Sequence, residues 1–82
     1  MTIGTVIRRW RQERGLTQQQ LETATGIEQR YLSALELDKV RQPGPFKLYR
    51  ILRALDHSLE DLIQECGEAD DTAALLRPAV GW

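Results

Sequence analysis

Residues 17–36 read TQQQLETATGIEQRYLSALE, and the architecture of the chain can be read from them. They describe two short helices joined by a tight turn. Thr17 suits the N-cap of the first, and Gln20, three residues on, is spaced to close a capping box with it. Leu21 and Ala24 then fall on one helical face. Gly26 can take the left-handed conformation that ends a helix, after which Ile27 returns the chain to the core. In the second of the two helices Leu32 and Leu35 point inward, and Gln29, Arg30, Ser33 and Ala34 lie toward the other side. Such a unit holds one helix out for contact.

The same signals organise the flanks. A helix is expected from residue 2 or 3 to residue 14, with Ile3, Ile7 and Trp10 on an apolar stripe and Gly15 as its stop. Helices over about 17–25 and 28–37 follow, then a loop over 38–44, with Pro43, Gly44 and the following Pro45 preventing early helix. Pro45 fits the first turn of a fourth helix running to about residue 55. Ser58 with Asp61 makes a second capping box, opening a fifth helix that Gly67 ends. Trp10, Leu16, Leu21, Ile27, Leu32, Leu35, Leu48, Ile51, Leu52, Leu55, Leu59 and Leu62 are the expected core. The class is all-α: a five-helix domain over 1–66 and a tail over 67–82, GEADDTAALLRPAVGW, that opens acidic and closes apolar.

Eighty-two residues make one domain, near the lower size at which a single core folds unaided. One cysteine, Cys66, excludes an intrachain disulfide framework and fits a reducing compartment. The sequence contains no apolar run long enough to span a membrane and no signal-peptide pattern. The net charge of −1 hides an asymmetry. Residues 1–53 carry ten Lys and Arg against five acids, whereas residues 54–82 carry one Arg against seven acids. A basic half can meet a polyanion whatever the overall balance, because phosphate contact follows the local field.

With its flanks, the 17–36 stretch resembles the helix-turn-helix of the Cro/C1-type (XRE-like, lambda-repressor-like) DNA-binding domains. The similarity runs over about residues 3–65. It includes Glu13-Arg14-Gly15-Leu16-Thr17-Gln18 before the motif, and Leu48, Ile51, Leu52, Ala54, Leu55 and Ser58-Leu59-Glu60-Asp61-Leu62 after it. The resemblance implies a regulator, expected as a repressor, that binds double-stranded DNA in the prokaryotic or phage-infected cytoplasm. It implies that the start of the third helix enters the major groove, where Gln29 suits adenine and Arg30 suits guanine. Ser33 and Ala34 lie one turn further along that face. Ala34 either meets a thymine methyl or is a filler. Gln18 matches the family position at the positive end of the second helix, where amides and side chain point at a phosphate. Tyr31 either reaches a phosphate through its hydroxyl or packs half-buried. Lys39 and Arg41, in the following loop, are expected on the phosphate backbone. Arg11 and Glu36 match a pair the family uses as an internal salt bridge. Two positions depart from the pattern. Glu22 stands where the family usually has Ala, and must route outward or pair with an arginine. Glu28 stands where Ser or Thr usually caps the third helix.

Nothing in the sequence builds a catalytic or metal centre. His57 is the only histidine, Cys66 has no neighbouring base, and the acids from residue 60 to 71 lack calcium-loop spacing. No cofactor motif is present. In the tail, Leu75, Leu76 and Trp82 are costly side chains to leave in water. They either cover the domain or pack across a twofold axis. The favoured arrangement is a homodimer through the fifth helix and tail (Leu59, Leu62, Leu75, Leu76, Trp82). Two other readings stay open: an antitoxin-like autoregulator whose tail binds a second protein, and a helix-turn-helix scaffold that contacts only proteins.

Overall fold

The computed structural model describes residues 1–40 and 42–67. Five helices follow in order: α1 Ile3–Glu13, α2 Gln18–Thr25, α3 Gln29–Glu36, α4 Pro45–Ala54 and α5 Leu59–Cys66. The expected boundaries hold to within about two residues. Arg41 and the tail residues Leu75, Leu76 and Trp82 lie outside the described residues.

Three of the five helices start where a capping side chain meets their first free amides. The Thr2 hydroxyl accepts from the Thr5 amide at 3.2 Å to open α1. At α2 the Gln20 amide donates to the Thr17 hydroxyl at 3.0 Å, and the Thr17 amide donates to the Gln20 carboxamide oxygen at 2.9 Å. The same box recurs at α5, where Ser58 and Asp61 exchange two bonds of 3.1 Å. Glu28 precedes α3 without any side-chain cap, and α4 starts on Pro45, whose missing N–H costs nothing at that position. Gly26 closes α2 with φ of 76°. Two aspartates also end helices in the left-handed region, Asp38 after α3 and Asp56 after α4. Asp tolerates that conformation better than most residues, and the sequence gives little warning of it.

The core is one cluster. Val6, Ile7 and Trp10 of α1 meet Leu21 of α2, Ile27 of the turn and Leu32 and Leu35 of α3. Leu48, Ile51, Leu52 and Leu55 from the α4 region and Leu62 and Cys66 of α5 complete it, with Leu16 half-buried against it. α1 packs on α3 and α5, and α2 packs on α3 and α4. Three expectations change. Ala24 is exposed, and Thr25 takes the inward place beside Leu21. There its hydroxyl donates to the Leu21 carbonyl at 2.8 Å and accepts from the Ile27 amide at 3.2 Å, which knits the turn between the two motif helices. Leu59 is 43% exposed and so is not core. Leu62 is fully buried inside the domain, which removes it from any surface offered to a second copy.

Two contacts outside the apolar cluster fasten the ends. His57 stacks on Trp10 with centroids 3.6 Å apart and planes 6° from parallel, and its Nδ1 lies 3.2 Å from Asp61. The Ser58 amide, followed by His57, holds the Asp61 carboxyl below the usual carboxylate range. Arg9 of α1 pairs with Glu65 of α5. No helix among the described residues is long and apolar enough to cross a membrane.

Candidate nucleic-acid interface

The angle of α3 is fixed from beneath by a buried ion pair. Arg11 Nε donates to Glu36 Oε2 at 2.7 Å and its Nη2 to Oε1 at 3.0 Å, a two-pronged match of guanidinium to carboxylate. The side chains are 11% and 3% exposed. Arg11 also donates from Nη1 to the Leu16 carbonyl at 2.8 Å, and Gln18 Nε2 donates to Glu36 Oε1 at 3.1 Å. One carboxylate thus ties α1, α2 and α3 together, and its arginine partner adds the turn before α2. The hydrogen bonds to Glu36 raise the Arg11 guanidinium above its ordinary value, against the opposing effect of burial, so the guanidinium stays charged.

Above that tie stands the outward face of α3. Gln29 and Arg30 are exposed, and Ser33 and Ala34 are half-buried, so the first turn projects furthest. Among the described residues no carboxylate lies within 4 Å of Arg30 or Lys39. Gln18 departs from its expected geometry, since its amide nitrogen turns inward to Glu36. The first backbone amides of α2 still lack intrahelical carbonyl partners, as at the start of any helix, and carry its positive end. Tyr31 is half-buried against the core, with Lys47 Nζ 4.1 Å from its ring centroid. The packing alternative accounts for its ring.

Glu22 is half-buried, and among the described residues it has no arginine within 4 Å. Pairing, one of its two expected solutions, is not what the structure shows. Glu28 is exposed at the start of α3, on the same side as Arg30.

A second set of cations has no role assigned by the sequence. Lys47 and Arg50 of α4 share a cleft of about 470 Å³ with Glu28, Arg30, Tyr31 and Ala34 of the α3 region. Their spacing of three along a helix that starts firmly at Pro45 is the signal that puts them on one face. On the other side of α4 a groove of about 670 Å³ runs between α4 and α5, walled by Leu48, Tyr49, Leu52 and Leu59 and edged by Arg53 and His57.

The helix-turn-helix family model matches residues 7–62. The uncharacterized HTH-type transcriptional regulator y4dJ of Sinorhizobium fredii (strain NBRC 101917 / NGR234) is 38% identical over 66 residues, which cover 80% of this chain and 84% of that protein. Among solved structures, SinR, described as the master regulator for biofilm formation and solved in complex with DNA, is similar with a TM-score of 0.72. The identity is 29%, over 76% of this chain and 98% of that one. A complex of the SinR and SinI proteins is similar with a TM-score of 0.74 at 30% identity, over 95% of this chain and 78% of that one.

Proposed function

We propose, from the premise that this chain belongs to the Cro/C1-type helix-turn-helix family, that it is a transcriptional regulator, acting as a repressor, that binds double-stranded DNA in sequence-specific fashion. The observation that carries this reading is the first turn of α3. Gln29 and Arg30 project from it, exposed, on a helix whose angle is locked by a buried salt bridge. A major groove admits such a helix, and amide and guanidinium groups are the side chains that read purine edges in pairs of bonds. Ser33 and Ala34 complete the base-facing surface. Lys39 and Arg41, Tyr31 through its hydroxyl, and Gln18 through the start of α2 contribute contacts to phosphates. The reading places the protein on the nucleoid, in the cytoplasm. It gives the chain no enzymatic role, and SinR, which is similar in fold, was solved bound to DNA.

Residues 1–66 form the DNA-binding unit, and 67–82 serve association. In a homodimer the α5 side with the tail forms the twofold contact, and half-sites lie about 34–36 Å apart. Support comes from Tyr49 and Leu59, both exposed at the α4–α5 groove. Apolar side chains grouped in this way favour coverage by a partner. A second reading, in which a different protein covers this side, draws on the complex of the similar SinR with SinI.

The test compares Arg30→Ala with Lys39→Ala by fluorescence anisotropy on a preferred duplex and on base-substituted versions of it. Arg30→Ala is expected to lose about 1–3 kcal/mol on the preferred duplex and to relax discrimination at one base position. Lys39→Ala is expected to weaken all duplexes alike. Equal losses across all duplexes for Arg30→Ala would remove it from base readout.

A further inference from the structure

Three cations and one carboxylate line the cleft between the start of α3 and the adjoining side of α4: Arg30, Lys47 and Arg50 with Glu28. All four are exposed, and among the described residues none is in an ion pair within 4 Å. Surface cations grouped in one concavity repel one another unless an anion is shared between them, and here the single carboxylate does not compensate them. Lys47 is also positioned. Its ammonium sits over the Tyr31 ring at 4.1 Å, which holds the charge beside the reading helix instead of letting it sweep through solvent. A cleft of about 470 Å³ has room for a phosphodiester group and the sugars flanking it, and Arg30 and Ala34 form the wall it shares with the base-facing side of α3.

We propose that this cleft seats a backbone phosphate of the bound DNA through Lys47 and Arg50, and that Glu28 weakens the seat by repulsion. The proposal rests on the DNA-binding reading above and adds to it an anchor from α4 that neither the motif nor its loop provides. Tyr31 then acts as a positioning residue for Lys47. Glu28, at a position where it caps nothing, becomes a charge that limits affinity without reading sequence.

The chemistry gives opposite signs for the two kinds of substitution. A cation that sits on a phosphate displaces a condensed counterion, so removing one such cation lowers the slope of log K against log salt by about 0.9 on duplex DNA. The experiment is anisotropy titration of the 82-residue chain on its preferred duplex and on an unrelated duplex, between about 50 and 200 mM salt. Lys47→Ala and Arg50→Ala are each expected to lower the slope by about 0.9 and to weaken both duplexes by the same factor. Lys47→Arg should keep the wild-type slope. Glu28→Gln is expected to strengthen binding to both duplexes, roughly fivefold at about 0.1 M salt, the size of one charge–charge interaction in water. These side chains are exposed, so a thermal melt in each case should match the unaltered chain and exclude unfolding as the cause. An unchanged slope for both alanine variants, with the unaltered chain binding normally, would overturn the cleft and leave the α3 reading intact. Absence of duplex binding by the unaltered chain would overturn both.

Discussion

Three hydrogen bonds converge on the Glu36 carboxylate, two from Arg11 on α1 and one from Gln18 on α2. Replacing it by alanine leaves a guanidinium that is 11% exposed with, among the described residues, only the Leu16 carbonyl as acceptor. Breaking a buried pair from one side costs about 3–5 kcal/mol, and the partial exposure of Arg11 puts Glu36→Ala at the low end, about 3 kcal/mol. Urea denaturation at constant m-value measures it. Replacing both partners by apolar residues of similar volume, Arg11→Met with Glu36→Leu, should recover much of the stability, because no charge is then stranded. The outward placement of Gln29 and Arg30 and the Arg11–Glu36 pair are legible in the sequence. The inward turn of Gln18 is not. A long amide at the start of a helix can serve a phosphate or a buried carboxylate, and only the position of Glu36 in space decides between them.

Among the elements, the crossing of α1 and α3 is set by Gly4. A Cβ at that position would stand 2.1 Å from the Leu35 carbonyl oxygen and 2.7 Å from the Asp38 carboxylate. The first neighbour is backbone and cannot swing away. Gly4→Ala would improve intrinsic helix propensity by about 1 kcal/mol and still destabilise the protein by about 2 kcal/mol net, as overpacking outweighs propensity. A lowered thermal midpoint with unchanged helical circular dichroism is the expected result; a raised midpoint would mean that the two helices stand further apart. Sequence alone hides this close approach, since a glycine inside a helix reads only as a local cost. The helix starts are open to inspection, because Thr17 with Gln20 and Ser58 with Asp61 are local pairs. The α3 and α4 stops at Asp38 and Asp56 are harder to see, because many aspartates are simply solvated. Lys47 and Arg50 are obscured for a similar reason: their spacing marks a face, but only the packed structure shows that this face adjoins α3.

For the whole molecule, the proposed function gives a domain of this size one reading helix, and a single half-site limits both affinity and specificity. Pairing two copies through the α4–α5 side would double the site and relate the half-sites by a twofold axis. Leu59 and Leu62 both fit the apolar stripe of α5, and the sequence cannot separate them. The fold does, burying Leu62 wholly and leaving Leu59 at the groove. On the proposed homodimer, Leu59→Glu is therefore expected to yield a stable monomer by analytical ultracentrifugation, with the melt nearly unchanged. Leu62→Glu should unfold the domain. A Leu59→Glu protein that sediments with the same mass as the unaltered chain would contradict the proposed contact.

Every functional role assigned to these residues depends on α3 reading base sequence from a major groove. Selection of bound sequences from a random duplex pool by the purified chain, near physiological salt, decides whether it does. Enrichment of one motif made of two inverted half-sites, centred about one helical turn apart, is the expected outcome. A chain that stays folded and associated yet enriches no sequence would contradict it, and would leave Gln29 and Arg30 as ordinary surface residues on a scaffold for proteins.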